Sequence, residues 1–233
     1  MTPIPINDIA RFVSCAAQLG TEGCGYEQSL KASIKALNQP SQADFVRDNH
    51  LLAVMIISDE EDCSIEDPAV FSTPEWQGED RNLACNYPET NESDLFDTQY
   101  FYDALMKLKG GNEHQLLFAA VVGVPTDAQT HCQGFGNALT GCLESDEMTY
   151  KRKRFTIETD PGVTVDYIHF APACTRTDSD GNIVTEARPG RRYVQLATRF
   201  GCAGYVYSIC NDDWSPAMRE ITKRIAHCLS MAD

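Results

Sequence analysis

The sequence predicts an α/β fold in which helices flank a mostly parallel β-sheet. Three apolar runs support this prediction, at residues 51–57 (LLAVMII), 116–124 (LLFAAVVGV) and 204–210 (GYVYSIC). Continuous apolar runs of this length are typical of strands that are buried on both faces of a parallel sheet. Helical patterns separate the runs, as crossover connections between parallel strands require.

Helices are predicted on both sides of these strands. The first is expected to begin at Asn7, a residue type that caps helix N-termini, and to end at Gly20. A second follows Gly25 and places Leu30 and Ile34 on one face. Three further helices are predicted around residues 101–108, around residues 191–200 and from Ser215, the expected N-cap of the last helix.

Two segments interrupt this alternation of helices and strands. Residues 59–97 are acidic, contain prolines and show no sustained period, so they are predicted to form a long surface loop. Residues 126–190 are predicted to be an insert within a single domain that spans residues 1–233. A hairpin is expected inside the insert, around Asp160-Pro161-Gly162. Because the insert is long and polar, it is expected to be mobile and to face a partner.

The composition excludes several classes of partner. The 233 residues include 19 basic and 34 acidic ones, a formal net charge of −15. That charge argues against nucleic acid as a partner and against a polybasic membrane anchor. No apolar run approaches the roughly 20 residues of a transmembrane segment, and no signal peptide is visible. The one basic run, residues 151–154, is expected to form salt bridges or to contact an acidic partner.

The ten cysteines are spaced like a disulfide framework. None forms a C-x-x-C pair or a close cluster with histidine, which argues against zinc and redox sites. An even number at such spacings favours an oxidising, extracytoplasmic compartment, and the alternative is a set of buried thiols in a cytosolic protein. Local closure and the predicted topology favour five pairs, namely Cys15–Cys24, Cys63–Cys85, Cys132–Cys142, Cys174–Cys210 and Cys202–Cys228.

Four stretches of the sequence carry a resemblance to a known family. They are residues 20–30 (GTEGCGYEQSL), 51–64 (LLAVMIISDEEDCS), 192–201 (RYVQLATRFG) and 207–217 (YSICNDDWSPA), and together they resemble a bacterial von Willebrand factor type A domain, of the cysteine-containing type found in exported proteins and lipoproteins. The resemblance implies a Rossmann-like fold with a metal-ion-dependent adhesion site at the carboxyl edge of the sheet. The family's D-x-S-x-S motif is absent and the chain opens on helices, so the resemblance implies an N-terminally incomplete domain.

Asp59 and Thr21 are the candidate metal ligands. Asp59 follows the first predicted strand, where ligands bind in α/β sheets, and it matches the aspartate of the family's site. Thr21 is the nearest hydroxyl for the family's threonine. The implied ion is Mg²⁺ or another divalent cation, whose coordination an acidic side chain of a protein partner would complete. The isolated chain is expected to bind none, because magnesium gives up its waters reluctantly and too few ligands are present.

The predicted function is therefore metal-dependent protein binding by an exported bacterial protein, without catalysis. Two alternatives remain open: an extracytoplasmic hydrolase that uses the acidic residues 58–67, and a disulfide-braced structural surface protein. The hydrolase is disfavoured because no set of acid, base and nucleophile has a recognisable spacing. Asp178, Asp180 and Asn182 are spaced like part of a calcium loop, but the glutamate expected at its twelfth position is absent, so a turn is favoured.

Overall fold

A computed structural model of the chain describes residues 25–77, 83, 85 and 94–230, without the side chains of residues 75, 77 and 225–230. The predicted first helix, Thr21 and the predicted pair Cys15–Cys24 lie outside the described residues. The helices are α1 (Ser29–Leu37), α2 (Pro74–Gln77), α3 (Thr98–Leu108), α4 (Arg191–Arg199) and α5 (Ser215–Ser230). The strands are β1 (Leu52–Ser58), β2 (Leu116–Val122), β3 (Gly134–Phe135), β4 (Arg152–Asp160), β5 (Val163–Phe170), β6 (Cys174–Thr177), β7 (Ile183–Ala187) and β8 (Gly204–Ser208).

The three predicted apolar runs form three adjacent strands of a four-stranded sheet with the order β1–β2–β8–β3. Strands β1, β2 and β8 are parallel, with Leu52 opposite Leu116 and Phe118 opposite Gly204. The short strand β3 pairs antiparallel with β8 and was not predicted. The structure is thus a mixed α/β fold with a mostly parallel sheet, compatible with the predicted Rossmann-like class.

Helices cover both faces of the sheet. Side chains of α1, α3 and α4 pack against Phe118, Ala120 and Val122 of β2 in the main core. Helix α5 covers the opposite face through Ala217 and Ile221. Its first turn is capped differently from the prediction, because the carboxylate of Asp213 accepts the Ser215 N–H at 2.8 Å and Ser215 is itself inside the helix.

Strand β1 contradicts the prediction that all three apolar runs are buried on both faces. Met55 and Ile57 are 37% and 38% exposed. In the described part of the chain β1 is the edge strand, and the helix on that side, α5, packs against residues of β2 and β8. A strand at the sheet's edge keeps its apolar pattern while one of its faces stays partly open to solvent.

The prediction of a simple surface loop after β1 is also wrong. Residues 61–65 are all buried, and Cys63 and Ile65 form a second small core with Trp76. The ring of Tyr26 stacks on Phe71 there at 4.5 Å between centroids. Apolar residues spread through an acidic segment therefore build a core that sequence periodicity does not reveal.

Three of the five predicted disulfides are present: Cys63–Cys85, Cys132–Cys142 and Cys174–Cys210. They indicate an oxidising, extracytoplasmic environment. The predicted pair Cys202–Cys228 is not formed. Cys202 is a free, exposed cysteine whose sulfur accepts a hydrogen bond from Arg224 of α5 at 2.9 Å.

The predicted insert, residues 126–190, contains two separate hairpins, β4–β5 and β6–β7. The predicted turn at Asp160-Pro161-Gly162 joins β4 to β5. The segment also contributes to the main core, because Leu139 and Met148 are buried there and β3 lies in the central sheet. Its predicted mobility stays a prediction. Among the described residues no helix has the length and apolar character needed to cross a membrane.

Candidate functional site

Four consecutive acidic residues follow β1, and the structure separates them into an outward and an inward pair. Asp59 is exposed, and the side chain of Glu60 keeps 45% of its exposure. Glu61 and Asp62 are buried, with 7% and 0% exposure. Only the first pair can meet an external ligand, so the second pair needs a structural explanation.

Asp62 holds helix α1 against the loop that follows β1. One of its carboxylate oxygens accepts hydrogen bonds from the backbone N–H of Leu30 at 3.0 Å and from the Ser64 hydroxyl at 2.8 Å. The other accepts from Ser64 N at 3.2 Å and from Arg192 Nε at 3.2 Å. A carboxylate at a helix N-terminus satisfies amides that lack a partner within the helix. With both oxygens occupied, Asp62 acts as a structural cap.

Glu61 joins the same loop to the predicted insert and to helix α4. The Tyr150 hydroxyl donates to Glu61 Oε2 at 2.7 Å, and Asp62 N donates to Oε1 at 2.9 Å. The backbone nitrogen of Arg192, the second residue of α4, lies 3.2 and 3.1 Å from the two oxygens of Glu61. We call Glu61, Asp62, Tyr150 and Arg192 the Glu61 network.

Burial raises the pKa of Glu61 to about 7. The hydrogen bond from Tyr150 and the positive charge of Arg192 act in the opposite direction and lower this pKa, but burial has the larger effect. The pKa of Tyr150 is also raised, first by burial and then by the charge of Glu61. A carboxyl group with a near-neutral pKa is often catalytic. Here both oxygens are occupied by protein donors and the side chain is buried, so Glu61 has no access to a substrate.

The carboxyl ends of β1 and β2 are partly covered by the chain itself. Arg188 N donates to the backbone oxygen of Asp59 at 2.8 Å, and Gly190 N donates to the oxygen of Gly123 at 2.8 Å. The approach is so close that a Cβ on Gly123 would lie 1.8 Å from the Arg188 oxygen. This backbone crossing leaves the Asp59 side chain as the exposed group at the end of β1.

Three carboxylates, those of Glu27, Asp59 and Glu60, form what we call the acidic edge. Partial burial raises the pKa of Glu27, and the negative charges of Glu60, Asp59 and Asp62 raise it further. Nε2 of His169 lies 3.8 Å from Glu60 Oε1 on the other side. The effect on the pKa of Glu27 places Asp59 and Glu60 within electrostatic range of that side chain.

The acidic edge does not fit a complete magnesium site. Hard divalent cations require several converging oxygen ligands. Among the described residues, no three histidine, cysteine or acidic side chains are close enough together to hold a metal ion. Asp62 is occupied by Leu30, Ser64 and Arg192. Asp59 lies where the sequence predicts it, and its role as a ligand stays a prediction.

The turn predicted at Asp178 is confirmed. Its carboxylate accepts the backbone N–H groups of Asp180 and Asn182, each at 2.9 Å. The side-chain amide of Asn182 also donates to this carboxylate, at 3.1 Å, and it is the main cause that lowers the pKa of Asp178, followed by the backbone N–H of Asn182.

Sequence reasoning missed the Glu61 network, although one signal was available. Arg191 and Arg192 stand at the start of α4, where the helix dipole disfavours positive charge. Two arginines at that position indicate acidic partners elsewhere in the chain. The sequence alone does not say which of the many acidic residues these are.

No known family model matches this sequence, and comparisons with curated proteins and with solved structures likewise find no match. The class of protein therefore follows from the fold and the site alone. It is an extracytoplasmic α/β protein in which the chain partly covers the carboxyl ends of β1 and β2 and the acidic edge lies beside them.

Proposed function

We propose that this chain is a non-catalytic recognition module of an extracytoplasmic protein, of the von Willebrand factor type A kind that its sequence resembles. The observation that carries the proposal is the division of residues 59–62 into an outward pair, Asp59 and Glu60, and an inward pair, Glu61 and Asp62. The inward pair fixes the loop, so the outward pair is presented on a rigid support. A rigidly presented charge favours binding because little ordering is needed when the partner arrives.

Metal-dependent binding is a further part of this proposal. Asp59 would be one ligand of a divalent cation that an acidic side chain of the protein partner also coordinates. The described residues do not complete that site, so the chain by itself is expected to attract cations only weakly, in a way that salt screens. The recognition proposal does not depend on the cation, since the exposed carboxylates can also bind a basic partner directly.

The hydrolase alternative is less well supported. Glu61, whose pKa is raised to about 7, is buried, and both of its carboxylate oxygens accept hydrogen bonds from the protein. General acid–base catalysis requires a group within hydrogen-bond reach of the substrate. A panel of esterase, phosphatase, glycosidase and peptidase substrates tests this alternative. Turnover that is lost in Glu61→Gln would contradict the proposal that the module is non-catalytic.

Peptide display against the purified chain tests recognition at the acidic edge. Selections are run with Mg²⁺ and with a chelator, and binders are rescreened on Asp59→Ala and on Asp44→Ala, a control at another exposed aspartate. We expect binders that are weakened by Asp59→Ala and unaffected by Asp44→Ala. Loss of binding in chelator would support the cation as part of the contact. Binders indifferent to Asp59→Ala would favour a disulfide-braced scaffold with no recognition role for this edge.

A further inference from the structure

The hairpin β4–β5 extends away from the core. Its strands run from Arg152 to Asp160 and from Val163 to Phe170, and residues 156–166 are all exposed. Among the described residues, β4 and β5 pair only with each other. A two-stranded hairpin is marginally stable in water, and a third strand or a packing surface is usually needed for independent stability.

One face of this hairpin carries apolar side chains from its middle to its tip. Phe155 and Tyr167 are cross-strand neighbours whose rings stack at 5.4 Å, and Ile157 lies opposite Val165. Ile157 is 47% exposed, and Val163 and Val165 are exposed to a similar extent. Contiguous exposed apolar side chains on a soluble domain commonly mark a protein-interaction site.

The hairpin also carries a run of basic side chains in a strongly acidic chain. Residues 151–170 contain four basic side chains, at residues 151–154, and three acidic ones, so their net charge is +1. The whole chain carries −15, which leaves −16 on all other residues. Part of the basic run is paired locally, as predicted, by the ion pairs Lys151–Asp146 and Arg154–Asp166.

The two kinds of side chain alternate along β4. Arg152 and Arg154 share the polar face, while Lys153, Phe155 and Ile157 share the apolar face, because successive side chains of a strand point to opposite sides. Lys153 Nζ lies 5.1 Å from the centre of the Phe155 ring, which places a positive charge beside the apolar face. A peptide that pairs with the outer edge of β4 would therefore have basic side chains beside both faces of the hairpin and apolar side chains beside one face.

We propose that the outer edge of β4 receives an extended segment of a protein partner as an added strand, and that this segment alternates acidic and apolar residues. Main-chain hydrogen bonds to a sheet edge supply affinity in such complexes, and alternate side chains supply specificity. The added strand would turn the hairpin into a three-stranded sheet. Charge complementarity favours an acidic partner segment, and the net charge of −15 disfavours a second copy of this chain. The two proposals are probed by different variants, Ile157→Thr here and Asp59→Ala at the acidic edge, so the failure of one is distinguishable from the failure of the other.

Fluorescence anisotropy with synthetic peptides tests this proposal on the full chain. The probe is a labelled peptide that alternates glutamate with valine, and its controls are a peptide of the same composition in shuffled order and one with lysine in place of glutamate. We expect saturable binding of the alternating peptide alone. Ile157→Thr should weaken it about fivefold by removing an apolar cross-strand contact while keeping a strand-forming residue. Arg154→Gln should weaken it about threefold or more, with a smaller effect at high salt, because Arg154 lies on the polar face that the glutamates of the peptide would share.

The matched control is Ile183→Thr, which makes the same change at a 60% exposed isoleucine of the other hairpin. It should leave the affinity unchanged, and circular dichroism should show all three variants folded. The proposal is overturned if no peptide binds saturably, if the shuffled peptide binds equally well, or if Ile183→Thr weakens binding as much as Ile157→Thr. It is equally overturned if the chain alone dimerises through a contact that Ile157→Thr abolishes, since the occupant would then be a second copy.

Discussion

Replacing Glu61 by glutamine should change how the stability of this protein depends on pH. In the folded chain the pKa of Glu61 is about 7, compared with 4.5 for an ordinary glutamate. The folded state therefore holds the proton more tightly than the unfolded state. The stabilisation from the protonated form is fully present below about pH 4.5 and is lost as the pH rises through about 7.

The size of this effect follows from the difference between the two pKa values. Each pKa unit corresponds to about 1.4 kcal/mol, so the shift predicts a loss of roughly 3 kcal/mol of unfolding free energy across that pH interval. Glutamine has nearly the same shape and does not titrate. The variant should therefore lack this part of the pH dependence, and the difference between the two stability curves should isolate Glu61 from the other acidic residues.

Urea unfolding at a series of pH values, with the disulfides intact, measures both curves. Glu113→Gln is the control, because it makes the same change at an exposed glutamate outside both the acidic edge and the Glu61 network. Its curve should run parallel to that of the wild type. If the unfolding free energy of Glu61→Gln also runs parallel to that of the wild type between about pH 4.5 and 7, Glu61 does not titrate in this range. The inferred effect of its burial on the pKa is then wrong.

Three further outcomes are expected. Asp59→Ala should change the unfolding free energy by less than about 0.5 kcal/mol, like the control Asp44→Ala, because both side chains are exposed. Calorimetric titration of the wild type with Mg²⁺ or Mn²⁺ should show no tight one-to-one binding, and such binding would mean that the metal ligands come from other residues. Cys202 should react with a thiol reagent in the native protein, because it is free and exposed; a Cys202–Cys228 peptide in a non-reducing map would contradict this. Gly123→Ala should lower the melting temperature sharply or prevent folding, because its Cβ would lie 1.8 Å from a backbone oxygen, whereas Gly25→Ala, with nothing within 4 Å, should not.

Local features of the sequence were enough to predict much of the fold. The apolar run of β2 reads as a strand buried on both faces, and all seven of its residues are buried. The turn at Asp160-Pro161-Gly162 joins the predicted hairpin, and loop closure together with topology led to Cys63–Cys85 and two further disulfides. The strand, the turn and the two shorter disulfide loops depend on periodicity, on turn chemistry and on local closure, which neighbouring residues largely determine. Cys174–Cys210, with a sequence separation of 36, also required the predicted order of the strands.

Only the tertiary structure decided which carboxylates after β1 are available to a partner. Asp59, Glu60, Glu61 and Asp62 are chemically similar and consecutive, and no local pattern distinguishes them. Their division depends on Tyr150, which lies 89 residues from Glu61, and on Arg192, which lies 130 residues from Asp62. A buried carboxylate is stable only where hydrogen-bond donors and opposite charge surround it, and folding is what brings those groups together.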